Sequence, residues 1–121
     1  MTPAERRDIT LDEFNWRMNK IMDNNPDKRN PVENGECVYT SKTDEHCIIA
    51  EYMRLYDPDL LPNRPGMTKP SATILFSQAG YDKMVAFRAG YYQTIADQID
   101  YSTKENLTWK EVQENNDLRV Q

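Results

Sequence analysis

The sequence predicts a mainly α fold, a compact domain of four to five helices with one small extended or two-stranded element. Three observations point to it. A Thr-x-x-Glu cap flanked by an apolar staple pair occurs twice, at Ile9-Thr10-Leu11-Asp12-Glu13-Phe14 and at Leu107-Thr108-Trp109-Lys110-Glu111-Val112. Apolar residues between these caps recur three and four apart, the helical period. Proline, glycine and asparagine cluster between the apolar stretches.

Taken in order, Thr10 caps the first helix, and Leu11, Phe14, Met18 and Ile21 form its apolar face until Asn24-Asn25-Pro26 ends it. Residues 27–34 read as a loop. Cys37-Val38-Tyr39-Thr40, β-branched and aromatic, reads as extended or strand. Thr43-Asp44 caps an expected second helix over 45–56. Its apolar arc, Ile48, Ile49, Tyr52, Met53, Leu55 and Tyr56, is wide enough for a central helix packed on more than one side. Asp57-Pro58 stops it, and 63–70 is a breaker-rich loop. The apolar run within 71–78 fits either a strand or a helix; Gly80 after Ala79 favours a short helix with a glycine terminus. A fourth helix is expected over 82–99, with Met84, Phe87, Tyr91, Ile95 and Ile99 facing the core. Thr108 opens the last.

Length, 121 residues, predicts one domain over 1–121. Hydrophobic residues at 38% with aromatics at 10% describe a folded chain with a thin core. The net charge of -5, with basic residues interleaved among acids, disfavours direct nucleic-acid binding, which needs a basic face. It leaves open a surface imitating nucleic acid. No apolar run approaches the roughly 18 to 20 residues of a membrane span. The first residues lack the apolar segment of a signal peptide, so the expected location is cytoplasmic, with reduced cysteines.

The chemistry-bearing residues are few. Cys37, His46 and Cys47 are the only cysteines and histidine. A structural zinc site takes four ligands, so neither a metal nor a cofactor is expected. Cys47 reads as a small buried residue. His46 and Cys47, adjacent on a helix, would point about 100° apart, which suits no nucleophile–base pair. The carboxylate pairs Asp12-Glu13 and Asp57-Asp59 sit at helix ends, where the helix dipole or capping accounts for the first. Arg88 and Tyr92, four apart on another face of the fourth helix, combine residue types enriched at binding hot spots. They are the candidate partner-binding residues; the plainer alternative has Tyr92 shielding the core edge over the Arg88 stem.

The order of motifs resembles a group of small uncharacterised proteins of actinobacteria and their phages. The residues that carry the likeness are Asn25-Pro26, Cys37-Val38-Tyr39, Cys47-Ile48-Ile49-Ala50 and Thr108-Trp109-Lys110-Glu111-Val112. The chain departs at Ala50, where the group usually has glycine, and in the stretch 63–70. The resemblance implies an accessory protein of a phage or mobile element.

The functional expectation is a non-enzymatic protein-interaction module that occludes a host or phage protein. A small enzyme or ligand-binding domain with a cleft near Cys37 and Cys47 is the alternative. A third reading is an acidic, DNA-mimicking inhibitor of the anti-CRISPR type. The expected partner is a protein; self-association is left open.

Overall fold

The computed structural model describes residues 1–62 and 71–120, with the side chains of 116–120 left aside. The expected loop over 63–70 lies outside the described residues. Among the described residues the architecture is mainly α: α1 (Pro3–Arg7), α2 (Leu11–Asn24), α3 (Ile48–Tyr56), α4 (Ala72–Ala79), α5 (Lys83–Ala96) and α6 (Trp109–Val120). A 3₁₀ turn, Pro58–Leu60, follows α3. Two antiparallel hairpins complete it: β1 (Val32–Glu33) with β2 (Glu36–Cys37), and β3 (Ile99–Asp100) with β4 (Glu105–Asn106).

Cap chemistry places the helix starts. Thr10 Oγ1 accepts from Glu13 N at 3.1 Å, as its position before the apolar stripe requires. At Thr108 the box closes both ways, with Glu111 N donating to the threonine hydroxyl and Thr108 N donating to the Glu111 carboxylate. Glu13 instead holds Arg17, one helical turn on. A third box, Thr2 with Glu5, opens α1, and Pro3 occupies its first position, where a missing N–H costs nothing. Sequence reading assigned no helix there.

Three boundaries depart from expectation. The central helix begins at Ile48, with Cys47 as its cap and Sγ accepting from Ala50 N. The chain ahead of it is committed elsewhere: Cys47 N donates to Tyr39 O, Ser41 N to Glu45 O, and Thr40 bridges His46. The strand expected over 37–40 is shorter and earlier, β2 at Glu36–Cys37, and its partner β1 is reached through Asn34 and Gly35, both at positive φ, the conformation that Asn-Gly hairpin turns adopt. The fourth helix stops at Ala96, and Ile99 belongs to β3.

The core is one cluster. Phe14, Met18 and Ile21 of α2 enter it, as the apolar spacing predicts, together with Met22, and so do Ile48, Ile49, Tyr52 and Met53 of α3. Leu55, expected on the same arc, is half exposed because it falls on the solvent side of the last turn. Phe14, Tyr52, Phe76 and Tyr81 pack ring against ring, with centroids 4.7 to 6.4 Å apart. Such pairs add attraction beyond burial alone.

The buried face of α5 is a correction. Val85, Ala86, Ala89, Tyr92, Ile95 and Ala96 are buried, whereas Met84, Phe87 and Ile99 are each more than half exposed. Small residues let α4 approach closely, and Thr73 of α4 lies against Gly90 of α5. An added Cβ at Gly90 would collide with Thr73 Oγ1. Alanine in place of a helical glycine ordinarily gains about 1 kcal/mol. Here Gly90→Ala should instead lose about 1–2 kcal/mol through overpacking. Thr73→Ala in the same chain should recover most of the loss in urea denaturation. A single variant as stable as the parent would show that the helices are free to separate.

Gln93, also buried on α5, supplies what Ser71 does not. Its side-chain oxygen accepts from Ala72 N at 2.8 Å, and its amide donates to the Tyr39 hydroxyl. At the other end of α4, Gly80 has φ 108°. This left-handed helix ending is what glycine there predicts.

A buried polar chain ties the helices together. Arg6 of α1 holds both oxygens of Asp57, at 2.8 and 3.0 Å, and Tyr81 donates to the same carboxylate. The Tyr81 hydroxyl meets that of Tyr52, which accepts from Arg17. The hydrogen bond to Asp57 raises the pKa of the Arg6 guanidinium. Burial pushes the phenols of Tyr39, Tyr52 and Tyr81 above the ordinary tyrosine value, because a phenolate there would lack water. The fold favours the neutral phenols, so their contribution is complete below about pH 10 and fades as pH rises further. In an alkaline absorbance titration these three of the seven tyrosines should ionise only with unfolding. Seven phenols titrating together in the folded protein would contradict this.

Candidate functional site

The segment before β1 is held against the start of α6. Trp109 N donates to Lys28 O at 2.8 Å and Lys110 N to Pro26 O at 3.0 Å. Amides of a first helical turn, without partners in their own helix, are thereby satisfied from a segment some 80 residues earlier. Asn30, buried at 3% exposure, is the centre of this join. Its side-chain oxygen accepts from Ile48 N and from the Trp109 indole, its amide donates to Asp97, and its carbonyl accepts from Asn106.

Beside that join lies a cleft of about 760 Å³. One wall is the 27–35 segment, another is His46, and the third is the β3–β4 hairpin. Val32 and Ile99, one from each hairpin, line it at 50% and 55% exposure. Six charges also line it: Lys28, Arg29 and Lys104 against Asp27, Glu45 and Glu105. Arg29 is fixed in place, donating to Asn106 O and pairing with Glu105 at 3.3 Å. Lys28 lies over the Trp109 ring, 5.7 Å from its centroid. His46 Nδ1 bonds the Thr40 hydroxyl at 2.9 Å, and Nε2 is 3.7 Å from Asp44.

The cleft lies beside the expected Cys37 and Cys47 region, but neither thiol lines it. Cys47 is fully buried as a helix cap, and Cys37 is half-buried with Asn106, which lines the cleft, at 4.0 Å; no disulfide joins the two. His46 enters the wall from an extended segment, separated from the core-facing Cys47. Among the described residues no group of three or more Cys, His, Asp and Glu is arranged to hold a metal ion. No described helix is long and apolar enough to cross a membrane.

Arg88 and Tyr92 do not form a shared surface. Tyr92 is fully buried, against Phe14, and its hydroxyl donates to Asn15. Arg88 is half-buried with its guanidinium 5.3 Å from the centroid of the Tyr91 ring. The reversal follows from the rotation of α5: the face that carries Tyr92 meets α2, and the face with Met84 and Phe87 turns outward.

Most cleft residues carried no signal of their own. Asn34-Gly35 is the exception, since that dipeptide marks a hairpin and would have brought Val32 forward. Asp100 with Ser102 is a weaker one: Ser102 N donates to the Asp100 carboxylate two residues back, the local bond by which aspartate favours turns. No family model, curated protein or solved structure matches this chain.

Proposed function

We propose that this chain is a non-enzymatic protein-interaction module that engages its partner through the cleft between β1, His46 and the β3–β4 hairpin. The observation that supports this reading is the make-up of the walls. Two half-exposed aliphatic side chains sit among charges largely balanced against each other, as in an interface with an apolar centre and polar rim. Together with the resemblance to small proteins of actinobacteria and their phages, we read it as an accessory protein that occludes a host or phage protein. A small-ligand site is the second reading, favoured by the cleft volume, which falls in the range of such pockets.

The test is co-purification with tagged parent protein and a Val32→Asp/Ile99→Asp variant, from an actinobacterial lysate. Both positions are half exposed, so the variant should fold. A stoichiometric protein partner, retained about tenfold less by the variant, is the expected result. Equal capture by both proteins would remove the cleft from the interaction. A small molecule found on the parent by native mass spectrometry, with no protein partner, would favour the second reading.

A further inference from the structure

We infer that the cleft receives an extended peptide segment of the partner, anchored by an aliphatic side chain between Val32 and Ile99. This rests on the protein-interaction reading and adds the chemistry of what is bound. Charge selects the class first. A polyanion entering the cleft would meet Asp27, Glu45 and Glu105, and a polycation would meet Lys28, Arg29 and Lys104. Arg29 is already paired with Glu105 and bonded to Asn106 O, so it does not stand ready as a phosphate clamp. Walls with equal numbers of cations and carboxylates suit a chain that presents donors and acceptors in alternation, as a peptide backbone does.

Strand geometry selects the conformation. Among the described residues each ladder has two strands, and Arg29 already takes the Asn106 carbonyl of β4, so the outer edges of β1 and β3 are the ones offered to a further strand. Such edges receive added strands, with main-chain bonds giving affinity and alternate side chains giving specificity. Val32 on β1 and Ile99 on β3 project from different hairpins into the same cleft. An aliphatic residue of the incoming strand would cover both. The receiving walls are held by the Asn30 join, which limits the ordering cost of binding.

The experiment is selection of a display library of random linear peptides on the full chain, followed by amide chemical-shift mapping with the recovered peptides. Expected are sequences sharing one aliphatic position, shifts concentrated in 27–35 and 98–106, and about tenfold weaker binding to Val32→Asp and to Ile99→Asp. Met84→Ser and Phe87→Ser, on the outward face of α5, should bind as the parent does. Peptides that map to α5 would overturn this inference and leave the interaction module standing. No enrichment would also overturn it, and the co-purification test then decides the broader reading separately.

Discussion

Replacing Asp57 by alanine should destabilise the protein by about 3–5 kcal/mol, the cost of leaving a buried ion without its partner. Asp57 is fully buried and Arg6 nearly so, at 8% exposure. The guanidinium loses two bonds, and the Tyr81 hydroxyl loses its acceptor at 2.8 Å. What remains to Arg6 is the Ala79 carbonyl, at 3.1 Å. The effect should be read by urea denaturation at neutral pH. The double variant Arg6→Met/Asp57→Leu gives the contrast: with no charge left to strand, it should recover much of the loss. A single variant losing less than about 1 kcal/mol would mean that water reaches Arg6.

Asn30→Ala should have the next largest effect, about 3 kcal/mol. Two donors, Ile48 N and the Trp109 indole, lose their acceptor, and each buried donor left alone costs about 1–3 kcal/mol. Asp97 loses a donor as well. The damage should be local before it is global. The chain has two tryptophans, Trp16 at 59% exposure and Trp109 fully buried, so hydrogen exchange at the two indoles carries its own control. In the parent the Trp109 indole should exchange slowly and that of Trp16 fast. In the variant Trp109 should accelerate while Trp16 does not. An unchanged Trp109 indole would show that Asn30 does not hold the start of α6.

The same residue shows why the cleft was hard to read. Asn30 lay in a charged, asparagine-rich stretch that reads as a loop, and nothing nearby in sequence announces that it will cap α3 and hold Trp109. Its partners are 18 to 79 residues away. Lys28 and Lys104 are likewise ordinary loop cations until β1 and the second hairpin are brought together. Asn34-Gly35, and more weakly Asp100 with Ser102, announced their geometry locally.

The caps at Thr10 and Thr108, the apolar stripe of α2, the wide arc of α3 and the glycine end of α4 were determined by sequence alone. Each depends on residues within one or two turns of one another, where hydrogen-bond and packing partners follow from spacing. The rotation of α5 and the start of α3 were decided by the tertiary structure. On α5 both faces carry apolar residues, so periodicity cannot choose between them. The side with Ala86, Ala89 and Gly90 is buried because small residues admit α4 at close range. At α3 the Thr43-Asp44 cap was available, but pairing of Tyr39–Ser41 with Glu45–Cys47 had already claimed that backbone. A local preference worth about 1 kcal/mol yields when long-range packing and several backbone hydrogen bonds favour another arrangement.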